Sequence, residues 1–141
     1  MTVANQQFAV DMGDDSGQPR AASRSPTPDE LFDALSDVHR RYAIYTLRAF
    51  GPMTFDDLAD VVTGWLFSRK GETALRSDRR RVATSLHHVH IPKLLETALV
   101  TRDDKTGIFA IEIADPQIDE LLDSCQANER RFVSSGDSIS G

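Results

Sequence analysis

A single cysteine, a single tryptophan and only three lysines stand out in a chain of 141 residues. The lone cysteine, Cys125, excludes an intrachain disulfide framework and fits a reducing interior. No apolar run approaches the roughly 18–20 residues needed to span a bilayer. The opening segment, with Gln6, Gln7, Asp11 and Asp14, lacks the basic-then-apolar layout of a signal peptide. A soluble, cytoplasmic protein is the expectation. There is also no Gly-rich phosphate loop, no nucleophile-elbow motif and no spaced set of metal ligands, so enzyme chemistry and a cofactor are not expected. Cys125 reads as a small apolar filler on the last helix.

The shortage of lysine belongs to a wider bias. Aspartate outnumbers glutamate 16 to 6 and arginine outnumbers lysine 13 to 3, within a net charge of −6. Aspartate carries a dense hydration shell on a short stem, and few lysines mean few long aliphatic stems lying along the surface. That combination suits a chain working in concentrated salt. An ordinary acidic protein written in GC-rich codons would show the same bias.

Residues 1–26 are poor in apolar side chains, with Gly13, Asp14, Asp15, Ser16, Gly17, Gln18 and Pro19 clustered mid-way. Such a segment cannot bury enough surface to offset its ordering entropy, so a disordered tail is predicted. Residues 133–141 read likewise, which leaves a folded body over 27–132. Thr27-Pro28-Asp29-Glu30 is a helix-start signature, with a capping hydroxyl, a first-turn proline and a reciprocal acid. Ser36 and Asp37 offer a break or a new cap, and helical spacing resumes through Ala43, Ile44, Leu47 and Phe50 until Gly51-Pro52. Thr54, with Asp57 three residues on, caps a further helix carrying Leu58, Val61, Val62 and Trp65.

After a polar stretch, Val82, Leu86, Val89, Leu94 and Ala98 mark a long helix that Pro92 must kink or divide. Its extent as a recognition helix is about 79–97. Leu99–Thr101 and Ile108–Ile113 read as strands joined by an Asp103–Gly107 turn, and Pro116 opens a last helix. Four helices, a hairpin and a helix make a mainly α fold with a small β-hairpin, the layout of a winged helix-turn-helix.

Positive charge is concentrated in one place. Between Arg69 and Lys93 seven bases face two acids, a local +5, so the remainder of the chain carries −11. Arg79, Arg80 and Arg81 fall in the expected first turn of the recognition helix, where helix-turn-helix proteins meet phosphates and base edges. If Val82, Leu86 and Val89 are buried, Arg80, Thr84, His87 and Ile91 point outward. Arginine pairs bidentately with guanine, and Thr84 and Ser85 are of a type that reaches phosphate or base edges. The hairpin tip adds Arg102 and Lys105 beside Asp103 and Asp104. The competing reading is a solvated or internally paired basic face; His39-Arg40-Arg41 reads as a mostly solvated helical turn, with contact to a flanking phosphate as its alternative.

Leu86-His87-His88-Val89-His90-Ile91-Pro92-Lys93-Leu94 is the most unusual string. Its first reading is structural, with one histidine packed near Pro92 and the others at the surface. DNA contact through His87 or His88 ranks second. A metal site ranks third, because His87 and His90 need further ligands and only His39 and Cys125 offer them, at no spacing that brings them near.

That string, with Asp29-Glu30-Leu31-Phe32-Asp33-Ala34-Leu35-Ser36, Arg40-Arg41 and Leu58-Ala59, resembles a haloarchaeal winged-helix domain family over about residues 28–115. The family consists mostly of uncharacterised DNA-binding or regulatory domains. The resemblance implies a transcription regulator; the residues read above as the expected contacts to double-stranded DNA are Arg79, Arg80, Arg81, Thr84, Ser85, His87, His88, Lys93, Arg102 and Lys105. Related repressors are dimers on palindromic operators, which implies a homodimer, and the stripe Ile118-Leu121-Leu122-Cys125 could build one or pack on its own domain. Where many such regulators place glycine before the first wing strand, this chain has Ala98-Leu99. A winged helix that binds protein rather than DNA is the alternative.

Overall fold

Side-chain oxygens close the helix starts. In this computed structural model, which describes residues 25–140 and side chains as far as 131, α1 spans Pro28–Leu35. Thr27 Oγ1 accepts from the Glu30 N–H while the Glu30 carboxylate accepts from the Thr27 N–H, so two otherwise orphaned donors are satisfied. Asp37 caps α2 (Val38–Phe50), which Gly51 ends at φ 84°. Thr54 caps α3 (Phe55–Ser68) by accepting from the Asp57 N–H. α4 (Arg76–Ser85) starts without a capping hydroxyl; the Asp78 carboxylate instead accepts from the Leu75 N–H.

A π-turn over Leu86–His90 then leads into α5 (Ile91–Glu96), with Pro92 in its first turn. Strand β1 (Val100–Arg102) pairs antiparallel with β2 (Phe109–Ile111), Thr101 opposite Ala110. Met53, between α2 and α3, bridges to Phe109 through two backbone hydrogen bonds of 3.0 and 2.9 Å, so the hairpin gains a one-residue third strand. α6 (Pro116–Ser140) closes the chain. The result is mainly helical with one antiparallel hairpin and is winged-helix-like in its order and pairing.

The core draws on every layer: Ile44, Tyr45 and Leu47 of α2, Leu58 and Val62 of α3, Leu86 of the π-turn, Leu94, Leu99 and Val100 beyond it, and Leu122 of α6 are all fully buried. Ile118 and Leu122 belong to that core and Leu121 and Cys125 pack against it, so the apolar stripe of α6 is spent on its own domain. No described helix is long and apolar enough to cross a membrane.

Several expectations shift. The periodic reading buries Val89 and exposes Ile91, whereas Val89 is 46% exposed and Ile91 only 5%. The cause is the π-turn. Its i→i+5 bonding accommodates one extra residue, which rotates everything after Leu86 by about one residue's arc, roughly 100°, relative to a 3.6-residue helix. His90 and Ile91 therefore turn inward together. The helix also begins at Arg76 rather than near 79, which leaves Arg79 at the end of the first turn and moves Arg80 and Arg81 into the second. The last helix continues by backbone through Ser140, where the sequence reading ends the folded body at 132; once a helix is nucleated, each further residue adds a hydrogen bond at little cost. The expected N-terminal tail lies outside the described residues as far as 24.

The corner before β1 turns without glycine, and Ala98 adopts φ 69° to make it. Thr97 locks the corner: its hydroxyl donates to Leu94 O at 2.6 Å and accepts from the Leu99 N–H. At the hairpin tip the Asp103 carboxylate accepts from the backbone N–H groups of Lys105 and Thr106, and Gly107 closes the turn at φ 74°. Those bonds, that from Thr106 first, hold the Asp103 carboxyl below its usual range.

Candidate nucleic-acid interface

One face of α4 gathers four of the ten site residues expected from sequence. Arg80, Arg81, Thr84 and Ser85, together with Ser77, line a shallow groove of about 460 Å³. Arg80 and Arg81 are exposed. The Arg80 guanidinium meets no carboxylate among the described residues, while its carbonyl accepts from the Thr84 hydroxyl at 2.9 Å. Arg81 reaches Asp78 at 3.3 Å across one turn of helix, a surface pair of small worth.

Arg79 has a different position. It points to the flank facing α3, where Nε donates to Asp60 Oδ1 at 2.8 Å and Nη2 to Asp56 O at 3.1 Å. It fastens α4 to α3 rather than joining the groove. His87 and His88 are exposed, and His87 lies edge-on to Phe55 at the start of α3, ring centroids 5.8 Å apart. Lys93 sits on a separate side, 3.5 Å from Asp33 of α1. Arg102 and Lys105 are exposed on the hairpin.

The third histidine builds a joint that sequence spacing conceals. Arg40 is only 5% exposed. It donates to the carbonyls of Asp33 and Ala34 and to Ser36 Oγ at the C-terminal end of α1, and its Nη1 donates to His90 Nδ1 at 2.9 Å. A cation at that helix end also complements the α1 dipole. Arg41 donates to Leu35 O and to the Glu129 carboxylate of α6. The His39-Arg40-Arg41 run, read from sequence as mostly solvated, thus clamps α1, α2, α6 and the π-turn together. The signal available was Arg40 lying four residues beyond Ser36, within reach of a helix end.

Asp37, His39 and His90 bring one carboxylate and two imidazoles within 4.8 Å. Asp37 Oδ1 is 3.1 Å from His39 Nδ1 and 3.7 Å from His90 Nε2. This arrangement suits hydrogen bonding better than a cation. His90 Nδ1 accepts from Arg40, which leaves the ring proton on Nε2, the atom that would have to ligate. The two rings are stacked, 9° apart in plane with centroids 4.9 Å apart, so no one ion lies in the plane of both. Burial pushes the His90 pKa down, with Asp37 opposing and His39, Arg40 and Lys93 reinforcing the fall. For Asp37, burial alone would raise the carboxyl, but the His39 N–H and both imidazoles outweigh it and its pKa is lowered.

No curated protein and no solved structure matches the chain. Its resemblance to a known family does extend to more than half of its length, from α1 to β2, and takes in the Arg40–His90 joint and the whole of α4. Residues 32–110 match a domain of unknown function, DUF7344, and the chain belongs to that family.

Proposed function

We propose that this protein is a non-enzymatic, cytoplasmic transcription regulator that lays the outward face of α4 in the major groove of double-stranded DNA. The observation that supports this reading is the groove lined by Arg80, Arg81, Thr84 and Ser85, with Arg80 free of any carboxylate partner among the described residues. In a chain of net charge −6, an arginine with no carboxylate partner among the described residues, beside two hydroxyl side chains on one helix face, suits phosphate and base-edge contact. Arg102 and Lys105 on the wing add flanking backbone contacts, and the Asp103 turn keeps the wing short. Lys93 and Arg79 have carboxylate neighbours and serve the fold on this reading.

Homodimerisation belongs to the same proposal, through surfaces other than the α6 stripe. Exposed Phe32 and Phe50 are available for it, at 62% and 61% exposure. The aspartate-rich surface acts as a solvating coat in concentrated salt, as in haloarchaeal proteins, so unfolding on dilution from molar KCl is expected. Genome-wide immunoprecipitation of the tagged protein tests the function. Discrete promoter peaks support a regulator; absence of enrichment, with protein partners recovered instead, favours an interaction module.

A further inference from the structure

A second cleft lies beside the DNA-facing groove, between the first turn of α2, the last turn of α3 and α4, with a volume of about 650 Å³. Pockets of about 300–1,000 Å³ are the usual size for small-molecule ligands. Its floor is apolar, formed by Val38, Leu66, Phe67 and Val82. Its rim is cationic. Arg69 is held over the Tyr42 ring at 5.8 Å and Lys70 over the Phe67 ring at 4.6 Å, and Arg81 closes the third side. Neither Arg69 nor Lys70 meets a carboxylate among the described residues, although acids outnumber bases in the chain 22 to 16. Asp78, the acid in the lining, is already engaged by the Leu75 N–H and by Arg81.

We propose that this cleft binds a small amphipathic carboxylate, its tail on the Val38–Leu66–Phe67–Val82 floor and its head between Arg69, Lys70 and Arg81. Charge complementarity selects the head: two cations that meet no carboxylate among the described residues, at the edge of an apolar floor, leave an anion as the partner that satisfies both. Arg81 and Ser85 line this cleft and the α4 groove alike. An occupant that draws Arg81 inward therefore withdraws a cation from the DNA face, which makes the cleft an effector site. That coupling rests on the DNA reading; binding in the cleft does not.

The test is calorimetric titration of the full chain with octanoate, octanol and inorganic phosphate, in salt that keeps it folded. Octanoate is expected to bind saturably, with octanol and phosphate each roughly 10-fold weaker or more, the loss expected when a charge-assisted contact or the apolar tail is removed. The double variant Arg69→Gln/Lys70→Gln should weaken octanoate by about 10–100-fold. Ser85→Glu, which puts a carboxylate at the cleft edge, should do the same, and circular dichroism checks that both variants fold. Absence of saturable octanoate binding, equal binding of octanol, or unchanged affinity in both variants overturns the proposal. Octanoate should also weaken DNA binding by the wild type and not by Arg81→Gln. Tight octanoate binding with DNA affinity unmoved overturns the coupling alone, and a chain that binds octanoate but no DNA overturns the DNA reading alone.

Discussion

At position 90 a histidine sits 6% exposed with Arg40 on one ring nitrogen and Asp37 near the other. Burial lowers its pKa in the folded chain, so the folded state takes up a proton there at a lower pH than the unfolded chain does. In the unfolded chain it takes a proton as pH falls through 6.5. Below that pH the unfolded state binds the extra proton, so stability declines as the solution is acidified. Unfolding free energies measured from pH 7 to 5 should fall with a slope of up to about 1.4 kcal/mol per pH unit. His90→Gln, which keeps an acceptor for Arg40, should flatten that slope, and an unchanged slope would count against the joint. Asp37, with its lowered pKa, contributes its loss only at still lower pH, below 3.8. A second residue-level test is Ala98, whose φ of 69° costs a non-glycine residue about 1–2 kcal/mol. Ala98→Gly should raise stability by roughly 0.5–1 kcal/mol after the added freedom of the unfolded chain and the lost methyl are counted. Calorimetric Tm values check it; a lower Tm would mean that the buried methyl outweighs the strain.

Among the elements, local chemistry was legible and register was not. Thr27, Asp37 and Thr54 announce their helices because a capping oxygen and its N–H partner lie two or three residues apart, inside any sequence window. The Asp103 turn and Gly107 are legible for the same reason. The π-turn leaves no such mark. Pro92 warns of an interruption but not of an inserted residue, so extrapolation at a period of 3.6 assigns the wrong faces after Leu86. The Arg40–His90 contact spans fifty residues and is fixed by tertiary packing alone. Two substitutions distinguish the registers. Val89→Ser should change stability by no more than about 0.5 kcal/mol, as for exposed sites generally. Ile91→Ala should cost about 2–5 kcal/mol, as for a buried aliphatic residue. Urea denaturation gives both, and the reverse order of effects would restore an uninterrupted helix.

For the whole molecule, the distribution of charge matters more than its sum. In sequence most of the negative charge lies outside the basic segment, and the fold divides that segment's cations: Arg79 turns against Asp60 of α3, Lys93 sits beside Asp33 of α1, Arg69 and Lys70 edge the second cleft, and Arg80 with Arg81 lines the α4 groove. Sequence alone marks the segment but not the division, because which cations are consumed by aspartates depends on the packing of α3 against α4. The central claim is that the outward arginines contact DNA phosphates or bases while Arg79 does not. The most direct measurement is fluorescence anisotropy of promoter DNA recovered by immunoprecipitation, titrated across salt concentrations with wild type, Arg80→Ala and Arg81→Ala. Each variant should bind more weakly, and a lost phosphate contact should make the slope of log K against log salt shallower by about 0.9. Wild-type affinity and slope in both variants would contradict the account.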